Sequence, residues 1–441
     1  MRNLRFAALA AIVCAFTIPS LIAWGAGEFS TLPQVGQPSF SGGTSTGASG
    51  TVSTTTVPSG PSFLTGSEVV PADTNLTGGA SPQTVTIPVP MLGNFWGTPR
   101  NYLGNGALDV TNTNGTSTVT CAANAAITVA AMSADRWGCQ ANVGSGAGRT
   151  AIVTSSPSPP TGFTNSMKVF RTSGALTQPI CVWQAIPSPQ SIQLQGQVVT
   201  FSFYAAALAG LAADNNNQMQ AVVISGTGTD EALLSSPTAS PAITPAWTGI
   251  ATALNSTLTI TTTFTRYAVQ ATIPAAATEV GVGLCFTPTA TGAGATDGFA
   301  WTGAQLERSP GASAFEYKPK IFEFAQSQQY FYKVSETTGI SGRAMCAVST
   351  TSATKCHLKF PAQMYKIPTM SYTTGFASCT TTACTAVTAC TSLATDAVAT
   401  AVNIDGVLMV CGSSAAFAAA GSAGWFSDNS GSGVINAWTG F

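Results

Sequence analysis

His357 is the sole histidine of the chain, and this limits the chemistry available. Metal centres built on several imidazoles are ruled out. A Ser-His-Asp triad would depend wholly on one residue in a candidate hairpin beside Cys356. Gly43-Thr44-Ser45-Thr46-Gly47 fits the G-x-S-x-G pattern of a nucleophile elbow, but the elbow needs a strand before it and a helix after it. The surrounding GGTSTGASGTVSTTT offers neither. Glycoside hydrolysis needs two carboxylates flanking one bond. Asp135, Asp230, Glu231, Glu279, Asp297 and Glu307 are the candidates, mostly beside turns, and their spacing pairs none of them. The chain reads as a non-enzyme, with no catalytic residue and no metal ligand to name.

Non-covalent recognition is better provided for. A sugar site needs flat aromatic faces for the apolar side of a pyranose, with amide and hydroxyl groups beside them for its hydroxyls. Trp137, Trp183, Tyr204, Trp247, Tyr267 and Trp301 supply aromatic rings. Trp183 and Trp301 fall inside strand patterns, where core packing is the stronger claim. Trp247 lies in the proline-rich stretch SPTASPAITPAWTG and is expected to be an exposed platform. Asn215, Asn216 and Asn217 with Gln218 form a polar loop that serves either a glycan or a simple turn. The candidate ligand-binding residues are therefore Trp247, Trp183, Tyr204, Asn216 and Gln218.

These residues need a scaffold, and the composition describes it. Only 7% of the 441 residues are charged, against about 25% in an ordinary soluble domain. A formal net charge of −1 leaves no basic face for nucleic acid. Half of the 16 lysines and arginines lie between residues 308 and 366, which reads as a solvated face, with an anionic-glycan patch as the alternative.

Eleven cysteines are present, one of them, Cys14, in the N-terminal apolar run. The remaining ten read first as disulfides. Cys346 is expected to pair with Cys356 across a hairpin, and Cys379, Cys384, Cys390 and Cys411 to form two more bridges. Cys121–Cys139 and Cys181–Cys285 are further candidate pairings, which the sequence leaves open. Zinc is the rival for the last cluster, but its C-x4-C-x5-C spacing misses the usual two-residue knuckle.

Residues 1–25 have a charged start, an uncharged apolar run and small residues at a cleavage position. They read as an export signal, or else as an uncleaved anchor that would be the chain's one membrane contact. Residues 26–95 are a low-complexity linker, too polar to offset their ordering entropy, with one candidate strand at 84–90. Between 96 and 319, strand patterns recur at 125–132, 149–155, 166–173, 180–186, 198–207, 219–225, 256–273, 279–287 and 298–307. Nine strands without a helical period argue for a two-sheet sandwich. Residues 320–441 form a second, smaller β domain, and its opening IFEFAQSQQYFYK reads as a short helix or a strand.

Several phrases carry a family resemblance. They are NYLGNGALDV at 101–110, Asp135-Arg136-Trp137, VVTFSFYA at 198–205, Phe264-Thr265-Arg266-Tyr267, GAQLE followed by SPGASAFEYKP, and FPAQMYKIPT at 360–369. Together they resemble phage and prophage tail-fibre-like proteins, in which a jelly-roll module similar to carbohydrate-binding modules precedes a small β domain. In the last phrase Tyr365 stands where the pattern has arginine. The resemblance implies an all-β chain: a jelly-roll β-sandwich, a smaller C-terminal β domain and a disordered N-terminal stalk. It implies adhesion to a cell-surface glycan or polysaccharide from an extracellular or virion-surface position, with a homotrimer as the assembled form. A purely structural virion or surface protein and a glycan depolymerase are the alternatives. No cofactor is implied beyond Ca2+, which would sit on Asp109 and Asp297.

Overall fold

In VVTFSFYAAA, side chains two residues apart point to one face, so Val199, Phe201, Phe203 and Ala205 should share a core. All four are buried in one apolar cluster in the computed structural model, which describes residues 100–123, 129–141, 148–172, 176–231, 247–289, 297–335, 344–373, 375–379, 387–398, 401–413, 423–428 and 433–440. The expected signal, linker and lone strand at 84–90 lie outside the described residues. Every described residue belongs to one compact unit, Leu64–Phe441.

Thirteen strands build the first module. They are β1 Val119–Thr120, β2 Ala122–Ala123, β3 Met132–Ala134, β4 Trp137–Ala141, β5 Arg149–Thr154, β6 Ser166–Arg171 and β7 Ile180–Ile186. After a turn of helix, α1 Ser188–Ser191, come β8 Val198–Ala207, α2 Leu211–Asn215 and β9 Gln218–Gly226. The last four are β10 Ala251–Thr259, β11 Thr265–Thr272, β12 Glu279–Phe286 and β13 Gly298–Glu307. One sheet runs β1-β5-β6-β13-β8-β11; the other runs β10-β9-β12-β7-β4-β2, with β3 on β4. All pairs are antiparallel except β2 with β4. This is the expected sandwich, and the fold class is all-β.

Three expectations of detail change. The run 256–273 is two strands, because the threonine-rich turn at 260–264 carries the chain from the edge of one sheet to the edge of the other. Of the strand expected at 125–132, the described part is a 3-10 turn at Val129–Ala131 leading into β3 at Met132. The run after Pro319 holds both alternatives in sequence, α3 at Lys320–Ser327 and β14 at Phe331–Ser335.

Between the sheets, Trp137 meets Trp301 with ring centroids 4.5 Å apart and Phe286 meets Phe299 at 5.9 Å. At the edge of this core the fully buried Arg171 donates from Nε and Nη2 to Asp297 Oδ2, at 2.9 and 2.7 Å, with Asp214 Oδ1 3.2 Å away. Asp297 is therefore occupied by an arginine. Asp109 accepts instead from Thr164 and Tyr317 hydroxyls. The two carboxylates expected to share Ca2+ serve different partners.

The second module has a three-stranded sheet, β14-β23-β17, in which β17 is Thr369–Tyr372 and β23 is Val434–Trp438. Its seven-stranded sheet runs β19-β18-β22-β15-β16-β21-β20. Here β15 is Ala344–Thr350, β16 Ala353–Lys359, β18 Phe376–Cys379, β19 Val387–Ala389, β20 Ser392–Thr395, β21 Gly406–Gly412 and β22 Ala423–Asp428. Cys346 bonds to Cys356 directly across the β15–β16 hairpin, as the sequence predicts. Cys121–Cys139, Cys181–Cys285 and Cys390–Cys411 are also bonded. Cys384 lies outside the described residues. The four disulfides among the described residues belong to a chain that folds in an oxidising compartment. Among the described residues no helix is long and apolar enough to cross a membrane.

Candidate functional site

The two aromatic faces of the sandwich have different fates. On the outer face of the β10-to-β2 sheet, Trp183 stands between Gly138 and Gly283 on the neighbouring strands, and the missing side chains make room for its indole. Trp247 packs beside it with centroids 6.2 Å apart. A Cβ at Gly281 would lie 3.1 Å from the Trp247 ring. Cys181, Ala185, Val222, Ile224 and Cys285 complete this apolar wall, and Tyr330 of the second module is buried against it, with Tyr365 and Trp438 packed at its margin. Trp183 is 0% and Trp247 4% exposed. The core role expected for Trp183 holds. The exposed platform expected of Trp247 is corrected: its indole packs on the sheet beside Trp183, and the second module covers it.

The cover is fixed by polar contacts. Arg136, at a φ of +77°, lays its guanidinium 3.7 Å from the centre of the Tyr330 ring and donates to Ala185 O at 2.9 Å. Glu323 of α3 accepts from Asn105 N at 2.7 Å. Burial pushes the Glu323 carboxyl up and the Arg136 guanidinium down from their ordinary pKa values. Asp135, beside Arg136, accepts from the Thr113 amide at 3.0 Å and hydroxyl at 2.6 Å. The Asp135-Arg136-Trp137 phrase thus holds structure together: Asp135 and Arg136 tie loops and the second module, and Trp137 fills the core.

Tyr204 has a different setting. It projects from β8 on the outer face of the β1-to-β11 sheet, where it is partly buried rather than covered. Its ring lies 5.4 Å from Phe163, which lies 5.0 Å from Phe315. The Arg266 guanidinium of β11 sits 6.0 Å from the Tyr204 centroid and donates to Ser202 Oγ at 3.0 Å and to Ser313 O. Gln270, four residues along β11 on the same face as Arg266, is exposed and donates to Pro310 O. Segment 309–317 forms the rim. Ser309 O accepts from Thr200 at 2.7 Å, Ser313 N donates to Glu307 at 2.8 Å, and Glu316 N donates to Gln305 Oε1 at 2.7 Å.

The imperfect alternation of β13 belongs to this site. The register with β8 slips between Thr302 and Gln305, so Phe299, Trp301, Ala304 and Leu306 all face the core. Gly303 sits in the slip at a φ of +63°, and a Cβ there would lie 2.7 Å from Phe163 and 3.0 Å from Tyr204. Gly303→Ala therefore combines a left-handed backbone, which costs about 1–2 kcal/mol for a residue with a Cβ, with displacement of both rings. The expected result is a lower unfolding midpoint and a changed near-ultraviolet aromatic signal, both measurable by circular dichroism.

Asn216 and Gln218 lie elsewhere, in the turn between α2 and β9. Asn216 caps α2 at a φ of +56°, and Asn217 has a φ of +59°. Asn215 ties the turn by accepting from Gln218 N at 3.1 Å and donating to Gln218 O at 2.8 Å. Asn216 and Gln218 are exposed. Of the five candidates, two are buried under the second module, two belong to this turn, and Tyr204 alone stands in an aromatic, polar-rimmed surface. Phe163, Phe315 and Arg266 are the partners that the sequence did not reveal. Phe163 follows a Pro-Pro-Thr-Gly turn, and Phe315 sits in the proline-punctuated edge after β13. His357 is exposed on β16 in the expected hairpin.

No protein-family model matches the chain, and no curated protein does. Among solved structures 56 chains match. One is the enzymatically active domain of bacteriophage CBA120 tailspike protein 4, at 12% identity and a TM-score of 0.28, over 47% of this chain and 21% of that one. Another is TmCBM61 in complex with β-1,4-galactotriose, at 10% identity and a TM-score of 0.27, over 48% of this chain and 100% of that one. A third is the C-terminal family 22 carbohydrate binding module of Clostridium thermocellum Xyn10B, at 13% identity and a TM-score of 0.25, over 40% of this chain and 89% of that one.

Proposed function

We infer that the chain is a non-enzymatic adhesion protein, tail-fibre-like in organisation, that recognises surface carbohydrate on the outer face of its β1-to-β11 sheet. The observation that carries this reading is the half-buried Phe163–Tyr204–Phe315 ridge beside Arg266 and Gln270. A pyranose offers one apolar face to such a ridge, while its hydroxyls meet the guanidinium and amide at the edge. The rings are held by the Gly303 slip and by the hydrogen-bonded 309–317 rim, so little ordering is needed on binding.

Tyr204→Ala tests the reading. Removing the central ring is expected to weaken binding to host-surface polysaccharide by roughly tenfold or more, the scale of one interface anchor, while the thermal midpoint changes little. Calorimetric titration of glycan into both proteins reads the difference. Equal affinity in the two proteins would reject this face as the ligand surface, and absence of binding in both would leave the structural virion role as the better reading. Release of reducing ends from the same polysaccharide would instead favour a depolymerase. The fibre reading also expects a homotrimer, which light scattering measures.

A further inference from the structure

The contact between the two modules contains carboxyl groups that the sugar surface does not use. Asp230 lies four residues beyond β9 at a φ of +51° and exchanges two hydrogen bonds with Ser188 of α1, at 2.8 and 2.9 Å. Its carboxylate accepts from the Tyr365 hydroxyl at 2.9 and 3.1 Å, and its carbonyl accepts from Lys366 Nζ at 3.2 Å. These are second-module residues clasping a first-module loop. The next residue, Glu231, donates its backbone N–H to Glu279 Oε1. The Glu231 side chain accepts from the Thr248 amide at 2.6 Å and hydroxyl at 2.9 Å, beside Trp247. Glu279 thus anchors the loop that presents Asp230. It is 2% exposed, and its Oε2 is buried with no hydrogen-bond partner among the described residues. That oxygen faces the backbone of Gly226, where a Cβ would stand 3.1 Å from it.

We propose that Glu279 is the proton-sensitive pin of a latch: protonated, it keeps the second module closed over the Trp183–Trp247 wall, and ionised, it loosens the Asp230–Tyr365 clasp and uncovers that wall. Glu231 and Asp230 of its own module's loop and Lys366 of the second module act on Glu279, and Tyr365 of the second module acts on Asp230. Tyr330 and Arg136 lie behind Tyr365. Burial raises the Glu279 carboxyl to about 7; the N–H bond from Glu231 works against the rise, and the carboxylates of Glu231 and Asp230 add to it. Hydrogen bonds from Thr248 hold Glu231 below the usual carboxylate range, so its charge is present throughout. Lys366 opposes the effect, since its ammonium favours an ionised neighbour, but burial lowers its own pKa. A carboxyl raised in the closed state binds its proton more tightly there than when solvated. Closure is therefore fully supported below the ordinary glutamate range and loses support as pH rises through about 7.

Hydroxyl-radical footprinting of the full-length chain, read residue by residue by mass spectrometry from about pH 5 to about pH 8.5, tests the latch. Labelling of Trp183, Trp247 and Tyr330 is expected to rise several-fold with a midpoint near 7, while Trp137 and Trp301 in the sandwich core stay protected. Glu279→Gln, which keeps the shape without the charge, should stay closed at both ends of the range. Tyr365→Phe, which leaves Glu279 in place but removes the clasp, should show the high-pH pattern already at low pH. A flat profile in the unmodified chain, or a pH response retained by Glu279→Gln, would overturn the proposal. So would Trp137 and Trp301 rising in step with Trp183, because that pattern means loosening of the whole sandwich.

Discussion

Arg171→Leu is expected to cost about 3–5 kcal/mol of stability, the usual penalty for breaking a fully buried ion pair from one side. Arg171 has no exposed side-chain surface and neither does Asp214 or Asp297. The guanidinium pairs with both carboxylates and also donates to Leu176 O at 3.0 Å. Leucine roughly fills the space but leaves two negative charges in an apolar setting at the end of β6, where the backbone N–H of Arg171 still reaches Asp297 O at 3.1 Å. Urea unfolding followed by far-ultraviolet circular dichroism would read the loss. Adding Asp214→Asn and Asp297→Asn to Arg171→Leu should recover a large part of it, because amides tolerate burial better than unpaired charges. An Arg171→Leu protein as stable as the parent would mean that the carboxylates find other partners or water.

The second large effect is expected from the Cys181–Cys285 bond. It joins directly opposed residues of β7 and β12 and closes a loop of 104 residues. The chain-entropy account assigns about 4–5 kcal/mol to a loop of that length, against about 3 kcal/mol for a short one. Both sulfurs also lie in the covered wall beside Trp183, so their loss removes packing as well. Cys181→Ala with Cys285→Ala should therefore lower the unfolding midpoint more than Cys346→Ala with Cys356→Ala, whose partners are 10 residues apart. Denaturant titrations of both variants in the absence of reductant compare the two directly. Equal losses would mean that packing rather than chain entropy dominates these bonds.

Much of the frame was legible because it is written in local pattern. Residues 180–186, 198–207 and 298–307 alternate or run apolar between turn residues, and the strands fall on those limits. The Cys346–Cys356 pair followed from a hairpin, whereas Cys121–Cys139 and Cys181–Cys285 stayed open until the strands were placed. What failed depended on residues far apart in the chain. Trp247 looked exposed because its flanks are proline and threonine, but it is covered by a sheet and by Tyr330, more than 80 positions onward. A warning was present in the sequence: ICVWQAI and EVGVGLCF are apolar at both alternating sets of positions, which marks a strand buried on both faces. Asp230, Glu231 and Glu279 each stood out as carboxylates, but no period links Glu231 to a residue 48 positions later. Tyr365 stood out too, as a departure from arginine in the FPAQMYKIPT phrase, and that departure supplies the hydroxyl on Asp230. Tyr204 was named as an aromatic candidate, while Phe163 and Phe315 were not, because loop positions carry no alternation to reveal where a ring will rest.

The shared wall also bears on how the chain can be dissected in the laboratory. A cut at residues 319–320, where the composition invites it, would strip away Tyr330, Tyr365 and Trp438 and leave Trp183, Trp247, Val222 and Ile224 facing water. A contiguous bare apolar surface of that kind makes a fragment self-associate. Clumping or stickiness of an isolated sandwich would then report the missing half rather than ligand preference. Recombinant versions intended for glycan screening should retain both halves in one polypeptide.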